Sequence, residues 1–203
     1  MAKARDRAAL GFSVHTGWAA LIALGGTART PAILERVRVE LLDSSDPSKP
    51  RFVYHAAREI ALDAAARLVR EVTEIARARA KAALQSVVAH LKERNYDVVA
   101  SGIIVANRPI SADLGAIVKS HPLIHSAEGA LFRGAMKHAS ESLKIRVVEV
   151  SAGELERRAS PLLGVSTNEL PERLVAIGRA AGKPWSKDQR DSFLAALLAS
   201  SYR

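Results

Sequence analysis

Residues 54–105, YHAAREIALDAAARLVREVTEIARARAKAALQSVVAHLKERNYDVVASGIIV, carry the pattern on which the architecture turns: a long helix running into a short apolar strand. Ile60, Ala64, Leu68, Val72 and Ile75 recur at helical spacing, and the stripe resumes at Ala83, Val87 and Leu91. Arg67, Arg70, Glu71, Glu74, Arg77 and Lys81 fill the rest of the circumference. Arg67 with Glu71 and Arg70 with Glu74 are spaced for i,i+4 pairs worth roughly 0.3 kcal/mol each. Asn95 and Tyr96 close the helix, and Asp97 to Val105 reads as a buried strand. Unbroken, the helix would run roughly 60 Å at about 1.5 Å per residue. That length overhangs a compact domain. The pattern therefore predicts a break between Ala76 and Ala80, or a helix shared with a partner.

Upstream, Ala9 to Leu24 divides into two strands around His15-Thr16-Gly17. Leu10, Phe12 and Val14 alternate on the first, the second is almost wholly apolar, and Gly25-Gly26-Thr27 supplies the next turn. A third strand spans Ile33 to Leu42, with Val37, Val39 and Leu41 alternating against Arg36, Arg38 and Glu40, so one of its faces is wet. Residues 43–50 form a solvated loop. Downstream come an irregular segment from Asn107 to Ile124 with a short helix over Ala112 to Lys119, and a helix from Ser126 to Leu143. A strand from Ile145 to Val150, a helical turn from Gly153, and a loop from Pro161 to Thr167 follow. Helices from Pro171 to Ala181 and from Lys187 to Ser200 end the chain. The order is β-β-β-α-β-α-β-α-α. Three antiparallel strands followed by β-α-β units require a mixed sheet with right-handed crossovers and helices on both faces.

The chain has 203 residues, 48% of them hydrophobic, which suits a single domain with a real core. It has no cysteine, which excludes disulfides and thiolate zinc sites. The net charge of +9 favours phosphate-rich partners, DNA or RNA. At 4% aromatic content there is no stacking platform of the single-strand-binding kind. No apolar run reaches the roughly 18 residues of a membrane helix. Met1 to Leu24 imitates a signal peptide, but His15, Thr16 and Gly17 interrupt its apolar part; no membrane association and a cytoplasmic location are expected.

This element order resembles the ribonuclease H-like superfamily, and details resemble its RuvC-type resolvase branch. The local matches are GFSVHTGWA (11–19) at the first hairpin, AEG (127–129) on the second helix and KDQRDSFLAAL (187–197) at the end. The resemblance implies one α/β domain over 1–203, a mixed five-stranded sheet, with the long helix (about 54–95) as an insertion. It also implies several carboxylates around two divalent ions, Mg²⁺ or Mn²⁺ in an active nuclease. The first of these carboxylates belongs where Ser13 stands, and a hydroxyl cannot replace it as a bridging ligand. The end of the fourth strand (Ile104, Val105, Ala106, Asn107) offers no acid either. The acids that survive as catalytic or metal-ligating candidates are Asp188 and Asp191, three apart on one helix face, and Glu128.

Each has a structural alternative. Ser186 to Gln189 reads as a capping box, with Asp188 at the positive end of its helix. Glu128 follows Ser126 and suits a helix's first turn. His121 and His125 are spaced like helical zinc ligands, but Pro122 lies between them and no third ligand is adjacent. His15 is a turn histidine beside Ser13. Neither a G-x-S-x-G elbow nor a phosphate loop is present. Lys3, Arg5, Arg7, Arg36, Arg38, Arg157 and Arg158 are the candidate nucleic-acid contacts, interleaved with acids that also make them ordinary solubilising charge. The expected function is a non-catalytic or weakly catalytic nucleic-acid-binding module. The alternatives are a divergent metal-dependent nuclease and an interaction module dimerising through Ala61, Ala65, Ala76, Ala80 and Ala83 of the long helix.

Overall fold

The computed structural model describes residues 4–43, 46, 48–106 and 113–201. Five strands, β1 (Asp6–His15), β2 (Trp18–Gly26), β3 (Pro31–Glu40), β4 (Tyr96–Val105) and β5 (Arg146–Ser151), form one sheet. Their spatial order is β3-β2-β1-β4-β5. The first three pair antiparallel, and β4 and β5 add parallel to β1 and to β4. The β1–β2 hairpin turns at Gly17, whose φ of +83° is a conformation a Cβ would oppose. Parallel strands need crossovers. These are α1 (Val53–Arg58) with α2 (Leu62–Glu93), and α3 (Leu114–Lys119) with α4 (His121–Ser142). This is the mixed α/β sheet that the resemblance implies.

Side chains alternate along a strand, so β1 serves two layers. Leu10 and Phe12 join Val72, Ala80, Leu84, Phe132 and Met136 in the core beneath α2 and α4. Ala9 points the other way, with Ile22, Ala100 and Val148, into a core closed by α5 (Leu155–Leu163), α6 (Leu170–Ala181) and α7 (Lys187–Ser201). Helix α7 lies directly on the sheet. A Cβ on Gly11 would stand 2.0 Å from the Ser192 carbonyl oxygen, and one on Gly102 would stand 2.1 Å from that of Ala195. Gly11 and Gly102 are register partners across β1 and β4. Two paired glycines thus make the seat for the helix that carries Asp188 and Asp191.

Several features differ from expectation. The chain breaks at 59–61, and α2 then runs unbroken for 32 residues, about 48 Å. Its buried face is Ala65, Val72, Ala76, Ala80, Leu84, Val87 and Leu91, whereas Ile60 is exposed. Small alanines let the helix settle close to its neighbours, so Ala65, Ala76 and Ala80 face the molecule's own core and not a partner. Glu71 pairs with Lys49, and Glu74 with Arg77, in place of the i,i+4 pairs. Helix α4 starts at His121, with Pro122 in its first turn, where a missing N–H costs nothing. Pro161 lies inside α5, which ends at Gly164 with φ +73°.

Candidate functional site

The carboxyl ends of the parallel strands β1 and β4 and the start of α7 meet at one end of the sheet, where open α/β sheets commonly place ligands. The α7 start is built by the expected capping box: the Asp188 N–H donates to Ser186 Oγ at 3.2 Å, and the Ser186 N–H donates to Gln189 Oε1 at 2.9 Å. Ser186 and Gln189 do the capping, so the Asp188 carboxylate is free to turn outward. It lies 2.8 Å from His15 Nε2, and the same nitrogen stands 3.5 Å from Ser13 Oγ. A nucleophile relay needs the carboxylate and the hydroxyl on opposite ring nitrogens. Here both face Nε2, so Ser13, His15 and Asp188 are neighbours without forming such a relay.

Behind them, Ser192 Oγ accepts the Ser13 N–H at 3.0 Å, with the Asp188 carbonyl at 2.7 Å and the Ala20 carbonyl at 3.0 Å in reach of its single hydrogen. This locks α7 to β1 in register. His15 stacks on Trp18, with ring centroids 4.3 Å apart and planes 11° from parallel. The Arg38 guanidinium carbon lies 3.8 Å from the Trp18 ring centre. Both partners cannot share one ring face at those separations, so Trp18 is sandwiched between them. Asp191 pairs with Lys187. It lines a cavity of about 390 Å³ with Ile104, Glu156, Leu174, Lys187 and Arg190.

Glu128 is not part of this assembly. It sits on α4, in the layer on the other side of the sheet, and not in a first turn: the helix begins seven positions earlier, at His121. It is 2% exposed. One of its oxygens receives the His55 N–H at 3.3 Å and lies 3.0 Å from His55 Nδ1. The nuclease ligand set of Glu128 with Asp188 and Asp191 is therefore not brought together.

The basic candidates are scattered. Arg5 lies 3.6 Å from Asp97. Arg7 is exposed near the start of β1, at the end opposite His15. Arg36 donates to the carbonyls of Gly182 and Pro184 at 2.8 and 2.9 Å, a structural tie between β3 and the loop before α7. Arg38 pairs with Glu40 as well as covering Trp18. Arg157 and Arg158 both pair with Glu154, at 2.6 and 3.9 Å. Lys3 lies outside the described residues. Trp18, Lys187 and Arg190 are further residues of this end, and each had a local signal: Trp18 faces His15 across the hairpin, Lys187 is the i,i+4 partner of Asp191, and Arg190 is its chain neighbour. No helix among the described residues is long and apolar enough to cross a membrane.

No protein-family model matches the sequence, and no curated protein matches it. Among solved structures, Thermus thermophilus RuvC in complex with a Holliday junction substrate is similar at 10% identity. The match covers 94% of this chain and 90% of that chain, with a TM-score of 0.52. A further Thermus thermophilus RuvC structure aligns at 11% identity over the same shares, with a TM-score of 0.49. The chain has the ribonuclease H-like fold of the RuvC type.

Proposed function

We propose that residues 1–203 form one nucleic-acid-binding domain that does not hydrolyse its ligand by two-metal chemistry at the α7 site. The observation that carries this reading is the donor set at the carboxyl ends of β1 and β4: a serine hydroxyl, an imidazole, and two carboxylates already held by His15 and Lys187. Glu156 lines the Asp191 cavity, but among the described residues it does not gather with Asp188 and Asp191 into a three-ligand cluster. Two Mg²⁺ ions need several anionic oxygens free to bridge and coordinate them. This donor set does not fit them, and no hydrolytic step is assigned to it. The net charge of +9 supplies the attraction to phosphate. The Holliday junction in the similar RuvC structure makes branched DNA the first probe. Arg190 and Lys187, at the rim of the Asp191 cavity, are the expected phosphate contacts there.

The test incubates the full chain with a four-way DNA junction, single-stranded DNA and an RNA–DNA hybrid, with Mn²⁺ or with EDTA. The expected result is binding without cleavage. Its affinity should fall steeply with salt, by a log–log slope of about −0.9 per phosphate contact on duplex, and Arg190→Ala should reduce that slope. Metal-dependent cleavage that disappears in Asp191→Asn would overturn the non-hydrolytic reading in favour of a divergent nuclease. Absence of binding to all three probes at low salt would remove nucleic acid as the ligand.

A further inference from the structure

We propose that His55, His121 and His125 form a Zn²⁺ site, with Glu128 orienting His55 from behind. His121 and His125 stand one helical turn apart on α4, and their Nε2 atoms are 3.0 Å apart. The third histidine comes from α1, its ring centroid 5.6 Å from that of His121 and 5.0 Å from that of His125. One ring nitrogen from each histidine falls within 4.8 Å of the others. A tetrahedral zinc with Zn–N bonds near 2.0–2.1 Å separates its ligand nitrogens by roughly 3.3 Å. Small rotations of side chains that are half-buried or exposed close that difference. A fourth position opens to solvent, as it does where zinc keeps a water.

Glu128 is what distinguishes this cluster from three surface histidines that happen to meet. Its carboxylate is buried, and among the described residues its ion-pair partner is His55. A buried carboxylate without a full compensating charge is costly. By accepting from His55 Nδ1 it favours the tautomer that carries its proton there and leaves the Nε2 lone pair free for a metal. This carboxylate–histidine–metal order is how metal-ligating histidines are commonly held. A divalent cation on the far side of the ring balances the charge that the imidazole alone leaves uncompensated. Three imidazoles without thiolates or further acids suit Zn²⁺ and not Mg²⁺ or Ca²⁺. The bound ion would clasp α1 to the start of α4.

The test uses the full chain without a polyhistidine tag, stripped with EDTA. Zn²⁺ binding is measured by calorimetry, and Co²⁺ substitution is read by visible absorption. The expected result is one ion per chain and a tetrahedral Co²⁺ spectrum. Zinc should also raise the melting temperature. His121→Ala and His125→Ala alter exposed side chains, so they should fold as the parent does by circular dichroism and lose both signals. Glu128→Gln keeps an acceptor for His55 but not the charge, and should weaken zinc roughly 10- to 100-fold. Absence of saturable binding, an octahedral Co²⁺ spectrum, or unchanged affinity in the His121→Ala/His125→Ala double variant would overturn the site. Unchanged affinity in a folded Glu128→Gln would overturn the role of Glu128.

Discussion

Replacing Gly11 with alanine tests whether α7, the helix bearing Asp188 and Asp191, is seated by backbone contact on the sheet. The new Cβ would stand 2.0 Å from the Ser192 carbonyl oxygen and 2.3 Å from the Ala196 nitrogen, and both are backbone atoms that cannot rotate away. Ordinary contact would require α7 to retreat by more than about 1 Å in an interior packed as tightly as a crystal. That movement lifts Phe193, Leu194, Leu197 and Leu198, all buried against the same face. It also pulls Ser192 from the Ser13 N–H. Overpacking of this kind costs about 3 kcal/mol, or roughly 6–12 °C of melting temperature for a chain of this length. Gly134, on the exposed side of α4, is the control, because a Cβ there meets nothing within 4 Å. Gly134→Ala should stabilise by up to about 1 kcal/mol through helix propensity alone. Thermal unfolding followed by circular dichroism reads both. A Gly11→Ala protein that melts with the parent would refute the close seating of α7.

Two further outcomes follow from local chemistry. Ser192→Ala strands the Ser13 N–H in a buried setting, which should cost about 1–3 kcal/mol and accelerate hydrogen exchange at the Ser13 amide. Burial, and secondarily the Glu128 charge, hold the Tyr54 phenol above its ordinary value. The folded chain therefore keeps a proton that the unfolded chain releases, and stability falls as pH rises from the ordinary phenol value through the raised one. Glu128→Gln should lower the Tyr54 titration, read by tyrosinate absorbance, while leaving it above ordinary because burial remains.

The sheet was legible because its strands show either a period of two or a short, continuous apolar run. Val37 and Val39 against Arg36 and Arg38 set the wet face of β3, and His15 to Gly17 marks the hairpin. The capping box at Ser186 to Gln189 was likewise local and was found as read. The stripe of α2 was legible at Val72, Val87 and Leu91, which are buried, and at Leu68, Ile75 and Ala83, which pack on the core, whereas Ala65, Ala76 and Ala80 are too small to stand out in the pattern and Ile60 falls in the break before the helix. The start of α4 is hidden in the sequence by Pro122, because a proline reads as a helix breaker yet is compatible with the first turn. The Ser13, His15 and Asp188 cluster could not be read from spacing. His15 and Asp188 are 173 positions apart, and nothing local to either specifies the other.

Glu128 shows why composition and spacing mislead at sites while succeeding at strands. Residue type alone groups it with Asp188 and Asp191 as a third carboxylate of one centre. In the fold it lies across the sheet from them and faces His55, 73 positions earlier. The same placement takes Glu128 away from the α7 end, where Glu156 is the further acid lining the Asp191 cavity, and supplies the missing orienting group beside His121 and His125. The objection to a zinc site, that no third ligand lay nearby in sequence, fails for the same reason: α1 and α4 are brought together only after α2 and β4 intervene. A ligand set distributed over a crossover is specified by topology, so its parts look unrelated until the crossover is built. The two proposals are therefore physically separate, one resting on cations around α7 and the other on imidazoles between α1 and α4, and neither borrows a residue from the other.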